Sequence, residues 1–495
     1  MTAINEEVHA LVKAAVKAGL IENRDERYAL NQVMDKMELS AAPSQEATAD
    51  KTVPVLLQNL TDYAVSRQLI ENLLDFREKW KADVMNIFMP SPSQIQKTFE
   101  AYYEQAPVKA TDYFYQLSKD SYYIPMDRIE KNVHFFHETE YGKLDITINL
   151  SKPEKDPKDI EAEKHAKGKT SYPQCLLCME NEGYGGRIGH PARSNHRLIE
   201  MSLEGEPWYL QYSPYIYYSE HCILLSGTHR DMAIGRPAFQ RLLTFVGRFP
   251  HYFMGSNADL PIVGGSILSH DHYQGGRYSF ALERAEKDFS FSLPGFSVEA
   301  ETVKWPMSVI RLRSENIDSL IGASMYVLEA WKTYKDETRM ILPFTGDVPH
   351  NTITPIARKK GELFEMDLVL RNNRTDDNHP NGIFHPHQDV HHIKKENIGL
   401  IEVMGLAVLP KRLVEELNEI KQFIQGDINS AADKHQSWAE ELKRQYKETN
   451  ELNIEGYLQK AVGKKFLKVL HDAGVFKRNA DGQEGFRFFV QKLGG

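Results

Sequence analysis

Ile4, Val8, Leu11, Val12 and Ala15 recur at the spacing of one helical face, and Gly19 stands where a C-terminal cap belongs, so the chain opens with a predicted helix. AAPSQEATADKT (41–52) breaks the pattern with small and polar residues and reads as an exposed connection. Helical spacing rich in Leu, Phe and Tyr returns over 53–120, which makes residues 1–120 a mainly helical N-terminal region. Strand patterns start at VHFFHETEYGKLDITINL (133–150), followed by KPEKDPKDIEAEKHAKGKT (152–170), a charged, solvated loop or insert. From 172 to 410 short β-rich runs recur, among them PWYLQYSPYIYY, HCILLSGTH, MSVIRL, FEMDLVLR and GLIEVMGLAVL. Residues 121–410 are therefore the sheet-rich region expected to hold the chemistry. After Pro410, Leu413, Leu417, Ile420 and Ile424 step at helical intervals, and 411–495 is read as a helical C-terminal region with FRFFVQKL (486–493) as a final strand. No repeat of fixed period appears.

Composition narrows the class. With 41% hydrophobic residues in 495, the chain can bury a sizeable core. A net charge of −9 argues against general nucleic-acid binding. No run of 18 apolar residues points to a membrane span, and the first twenty residues, with acids ahead of the apolar part and a lysine inside it, are no secretory signal. Three cysteines make no disulfide framework and fit a reducing, cytoplasmic setting.

The densest chemistry lies in GGSILSHDHYQGG (264–276). Apolar and β-branched residues lead into it, so a strand entering a glycine-flanked site is expected. Alternation then sets His270, His272 and Gln274 on one face and Asp271 and Tyr273 on the other. Glycines allow close approach of a ligand or another backbone, and their N–H groups suit phosphate oxygens. Two imidazoles and an amide on one face fit either a metal site, where Gln is a poor ligand, or a histidine nucleophile, neutral in large part at pH 7 and able to form a phosphoramidate.

DLPIVGGSILSHDHYQGG (259–276) resembles, through all its eighteen residues, the signature of the second family of galactose-1-phosphate uridylyltransferases, also called UDP-glucose–hexose-1-phosphate uridylyltransferases. NEGYGGRIGHPARSNHR, WYLQYSPYIYYSEHCILLSGTHR, HNTITPIAR and GLIEVMGLAVLPKR extend the likeness over essentially the whole chain. That family is distantly similar to the first uridylyltransferase family and to the histidine-triad superfamily. The implied fold is an α+β or α/β one, with a histidine-triad-like antiparallel sheet core and helical regions at both ends. In the first family the motif is His-Pro-His-Gly-Gln and its second histidine is the nucleophile. The match onto His270, Asp271, His272, Tyr273 and Gln274 implies that His272 becomes uridylylated. Gln274 falls where hydrolytic relatives carry a third histidine; it can hold a phosphoryl oxygen but cannot act as an acid at pH 7. Sugar phosphate is a good leaving group and needs no proton.

The resemblance further implies substrate-binding roles for Asn257, Gly264, Gly265, Ser266 and Gly275. The first family's phosphate-contacting serine lies three residues before its first histidine, whereas Ser266 lies four and Ser269 one residue before His270. Cys175 and Cys178 stand at C-x-x-C spacing, which suits a zinc clamp lacking two ligands. By resemblance, a structural zinc is held by Cys175, Cys178, His229 and His270. Two reduced, buried cysteines without metal are the alternative, and Cys222 reads as a small core residue on a strand. NGIFHPHQDVHH (381–392) carries His385, His387, His391 and His392, but its glutamine comes one residue early for the motif; it is a surface or site-lining loop, with a second metal or a sugar phosphate as other readings. Arg358, Lys359, Lys360, Arg371 and Arg374 suit a diphosphate or a solvated loop, Arg193 and Arg197 are open in the same way, and His350 and Asn351 are candidates to line the pocket.

The implied reaction moves UMP from UDP-glucose to galactose 1-phosphate through a uridylyl-histidine, with no nucleic acid or membrane involved and with a homodimer as in the first family. A histidine-triad-like hydrolase, another nucleotidylyltransferase, and a zinc-stabilised nucleotide-binding protein without turnover are the competing readings.

Overall fold

The computed structural model describes residues 2–40, 51–151, 157–165, 172–449 and 452–494, which fall into two compact units. The first comprises Met1–Lys131, Ser151–Ile216 and Glu220–His229; the second comprises Asn132–Leu150, Tyr217–Ser219 and Arg230–Gly495.

In the first unit the opening helix spans Thr2–Lys17, and Val8, Leu11, Val12 and Ala15 form its buried stripe against the helix Val53–Ser66. Gly19, at φ +73°, ends it in the left-handed conformation that glycine adopts without strain. Proline sits in the first turn of the helices Val53–Ser66, Pro92–Gln105 and Pro107–Asp120, where its missing N–H costs no bond. Ile199–Leu203, Glu206–Tyr212 and Cys222–Ser226 form an antiparallel meander, with Leu210 opposite both Ile199 and Leu224 and Cys222 fully buried, as expected. Most of 41–52 lies outside the described residues, and so do 152–156 and 166–171. Part of the charged 152–170 stretch is a helix, Pro157–His165, rather than a loop.

The second unit is built on seven antiparallel strands in the spatial order His272–Gly276, Phe253–Gly255, Asn351–Lys360, Leu363–Asn372, Val309–Ser314, Glu299–Val303 and Lys287–Phe291. Helices Arg236–Arg248 and Ile317–Thr333 pack on this sheet. A second small sheet pairs Val133–Thr139 with Gly142–Ile148, and Leu406–Leu409 joins it in parallel. GLIEVMGLAVL is thus split between a helical turn, Leu400–Val403, and a strand. Four helices from Leu413 to Gly494 close the chain, and FRFFVQKL lies within the last of them, Ala480–Gly494, not in a strand. Phe486, Phe489, Val490 and Leu493 recur at helical spacing and are buried there, so the local strand propensity yields to packing. No helix among the described residues is long and apolar enough to cross a membrane.

Candidate active site

The strand that carries the motif begins at His272, not at the preceding glycines. It pairs with Phe253–Gly255, Gln274 standing opposite Gly255. Residues 264–271 form an irregular approach, tied down by Met232 N–H to the Leu268 carbonyl (2.9 Å) and Asp271 N–H to the Arg230 carbonyl (2.7 Å). His270 therefore precedes the strand by two residues. Upstream, Ile262 adopts φ +71°, an uncommon conformation for a β-branched residue and a sign of local strain. Asp259 fastens that turn by accepting from Ile234 N–H (2.8 Å) and Thr352 Oγ1 (2.5 Å).

His272 is buried, and its Nδ1 lies 2.7 Å from the His270 carbonyl oxygen. A carbonyl can only accept, so Nδ1 carries the proton and Nε2 keeps its lone pair. Burial pushes the imidazole down to about 4, against the opposing pull of that carbonyl. The ring is neutral and oriented, as a histidine nucleophile would need to be.

The other motif positions divide by what surrounds them. Asn257 follows the end of the paired strand by two residues, just past the last pair, Gly255 with Gln274. Asn257 is buried, and its Oδ1 accepts from Leu400 N–H at 2.9 Å, which turns its NH₂ the other way. A Cβ on Gly265 would come within 2.6 Å of that Nδ2. Gly264 instead meets main chain: a Cβ there would lie 2.5 Å from the Ala258 carbonyl and 2.7 Å from that of Leu260. Gly275 likewise packs against the Phe253 carbonyl across the strand pair. Ser266 and Ser269 are both exposed on the approach loop, and Gln274 is half-buried. On the opposite face Asp271 lies 3.4 Å from Arg230 Nε and 3.5 Å from Arg241 Nη1, and Arg241 also reaches the Tyr273 hydroxyl (3.4 Å). Arg241 carries no sequence signal that separates it from other helix arginines.

In the first unit, Cys175 Sγ and Cys178 Sγ lie 3.5 Å apart, and Cys178 Sγ lies 3.2 Å from His229 Nδ1. Burial first, and then the facing Cys175 thiol, push Cys178 up to about 12. Two sulfurs and an imidazole nitrogen this close together are the donors that a divalent cation takes as two thiolates and a neutral imidazole. The donor set fits zinc. Asn181, which sequence reasoning passed over, steadies the clamp: its Nδ2 donates to the carbonyls of Cys175 and Cys178 (2.8 Å each), and its Oδ1 accepts from His190 Nε2 (2.8 Å).

The remaining candidates do not converge. His387 Nε2 donates to the Ile383 carbonyl (3.1 Å), His391 Nε2 to that of Pro386 (2.8 Å), and His392 packs between His435 and Trp438. Among the described residues these histidines form no metal-competent group. His385 is buried beside Gly382 and pushed down to about 4 by burial. Arg358 is paired with Glu365 and Asp367, Arg371 is buried, and Arg374 donates to the Met340 carbonyl, so the expected basic cluster is dispersed. In the first unit, Arg197 donates to the carbonyls of Pro90, Ser194 and His196, and Arg193 lies over the Tyr123 ring. His350 is held by Asn373 and Thr345, and Asn351 donates to the carbonyls of Trp331 and Tyr334.

Comparison with known proteins gives a consistent picture. Residues 20–231 match the family model for the N-terminal domain of galactose-1-phosphate uridyl transferase, and residues 245–440 match the model for its C-terminal domain. The chain is 50% identical over 496 residues to a galactose-1-phosphate uridylyltransferase of Clostridium perfringens, covering 99% of both chains. It is 51% identical to that of Clostridium acetobutylicum (99% and 100% covered) and 47% identical to that of Bacillus subtilis (99% and 98%). Among solved structures, yeast Ap4A phosphorylase Apa2 aligns with 14% identity and a TM-score of 0.32, over 59% of this chain and 83% of that one.

Proposed function

The chain belongs to the galactose-1-phosphate uridylyltransferase family, a family of nucleotidyltransferases, and from that premise we propose that it works by double displacement through His272. His272 Nε2 attacks the α-phosphorus of UDP-glucose. The bond from that phosphorus to the bridging oxygen breaks, and glucose 1-phosphate leaves with the electron pair. The uridylyl group stays on the imidazole as a phosphoramidate. A phosphate oxygen of galactose 1-phosphate then attacks the same phosphorus, the P–N bond breaks, and UDP-galactose leaves with His272 restored.

The observation that carries this reading is the 2.7 Å contact from His272 Nδ1 to the His270 carbonyl. It frees Nε2 for attack and stabilises the positive charge the ring gains as the P–N bond forms. Gln274 is assigned to a non-bridging phosphoryl oxygen, which it can hold without delivering a proton to the leaving group. Asn257 is assigned as a donor just beyond the paired strand, and Gly264, Gly265, Ser266 and Gly275 shape the loop around the phosphates. Zinc would be held by Cys175, Cys178 and His229, with His270 as fourth ligand by the sequence match; when bound it would fix these elements and take no part in the chemistry. The reading also assigns the catalytic machinery to 121–410, a histidine-triad-like character to the sheet core, a cytoplasmic location and a homodimer.

Initial rates at varied UDP-glucose and galactose 1-phosphate test it. Parallel double-reciprocal lines, with transfer abolished in His272→Asn and retained in His387→Asn, are expected. Intersecting lines, or equal loss in both variants, overturn the covalent route. UMP release without acceptor favours the hydrolase reading, and tight nucleotide binding with no turnover favours the binding protein.

A further inference from the structure

Arg371 does something other than meet solvent or phosphate. Its side chain is among the largest in the fully buried core, with 1% exposure. Nη1 donates to Thr354 Oγ1 (3.2 Å), Nη2 donates to the Ile398 carbonyl (2.8 Å), and Nε has no hydrogen-bond partner. Among the described residues no carboxylate pairs with it. Glu402, the acid whose charge it feels, already accepts from Lys394 Nζ (2.9 Å) and from Gly399 N–H (3.2 Å). A guanidinium buried without an ion pair is costly, and an apolar residue of similar size would fill the space more cheaply.

What the arginine holds is the turn that holds Asn257. Three successive residues have a main-chain group fixed by a side chain: the Ile398 carbonyl by Arg371, Gly399 N–H by Glu402, and Leu400 N–H by the Asn257 Oδ1. The last bond decides which end of the Asn257 amide is which. Its oxygen must face Leu400, so its NH₂ must face the space left by the missing Cβ of Gly265.

We propose that Arg371 is a positioning residue, acting through the Ile398–Leu400 turn to hold Asn257 as a hydrogen-bond donor beside His272. This rests on the uridylyl-transfer reading above. Asn257 is the group that touches substrate; Arg371 never does. A donor aimed in advance at a phosphoryl oxygen accelerates transfer because no reorganisation is needed when charge develops.

A double-mutant cycle on the single-turnover rate of His272 uridylylation tests it, with UDP-glucose as the only substrate. Asn257→Ala should slow the step by about 100-fold, the usual effect of losing one such donor. Arg371→Met should slow it by about 10-fold at saturating UDP-glucose, with little change in the concentration giving half-maximal rate. The double variant should be no slower than Asn257→Ala alone, because both changes remove one interaction. Arg371→Lys, which can still reach the Ile398 carbonyl, should recover most of the rate. Multiplying losses, near 1,000-fold in the double variant, would show that Arg371 supports the fold generally and would overturn the proposal. If Arg371→Met does not fold, Arg371→Gln, whose shorter side chain stays polar but stops short of the Ile398 carbonyl, carries the same cycle with the same two outcomes. Wild-type enzyme that takes no uridylyl group on His272 would refute the double-displacement reading instead.

Discussion

Gly264 and Gly265 are adjacent and chemically identical, yet alanine should harm them in different ways. A Cβ on Gly265 would lie 2.6 Å from Asn257 Nδ2, against the 3.4 Å at which ordinary contact begins, so the amide must retreat by about 0.8 Å. It cannot retreat freely. Its Oδ1 is bonded at 2.9 Å to Leu400 N–H, and Gly399 packs close behind it. Retreat from Gly265 presses the amide on Gly399 and Leu400, so it must rotate out of line and give up that hydrogen bond. One lost hydrogen bond costs about 1 kcal/mol of stability. The same displacement beside the reacting phosphorus costs about 10- to 100-fold in rate. Gly264→Ala instead drives its Cβ against two carbonyl oxygens at 2.5 and 2.7 Å, main chain that has no rotamer to change. Overpacking of that kind destabilises by about 1–3 kcal/mol. Urea titration and single-turnover uridylylation on both variants separate the cases. Gly265→Ala should be nearly as stable as wild type and slow; Gly264→Ala should be unstable, with the folded fraction closer to wild-type rate. Indistinguishable variants, or a Gly265→Ala enzyme within about twofold of wild type, would refute the account of Asn257.

On the proposed mechanism Gln274→His places a proton donor beside the phosphoryl group and should let UDP-glucose alone release UMP, measured by chromatography with the acceptor omitted. Cys178→Ser removes a thiolate from the first-unit clamp and should lower bound zinc well below the wild-type stoichiometry by metal analysis; equal zinc in both would remove the clamp assignment. Asp367→Asn removes one of the two buried carboxylates that Arg311 and Arg358 share, leaving Glu365 to face both guanidiniums, and should cost about 3–5 kcal/mol in urea unfolding. Burial works to raise the Asp367 carboxyl, but the Arg311 and Arg358 guanidiniums override it and hold it well below the usual range. Its contribution is therefore present above about pH 4 and lost as the pH falls towards the folded value, so the gap between wild type and Asp367→Asn should narrow on acidification.

The ends of the chain and the hairpin at 133–148 were legible because periodicity alone decides them: the buried stripe Val8–Leu11–Val12–Ala15 and the steps from Leu413 to Ile424 are what helices require. FRFFVQKL misled because its aromatic and β-branched residues favour strands, while its buried set follows the helical interval. Within the site, His272, Gln274 and the cysteine pair stood out by residue type and spacing. The strand start did not. Whether His270 shares a face with His272 depends on where main-chain pairing begins, and that is set by the carbonyls of Arg230 and Leu268. The basic residues between 358 and 374 are close in sequence, but the strands carry them apart, Arg358 to a buried acid pair and Arg371 to a main-chain carbonyl more than twenty residues away. Asn181 and Leu400 act through an amide and a main-chain N–H, groups that every sequence holds in abundance and that mark nothing by themselves.

Covalent catalysis by His272 is the central claim, and intact mass tests it most directly. Enzyme mixed with UDP-glucose alone, quenched without acid because phosphoramidates are acid-labile, should gain the mass of one uridylyl group. The adduct should map to His272 and vanish on adding galactose 1-phosphate. An active enzyme that shows no adduct, or one whose adduct maps to another residue, would contradict the account.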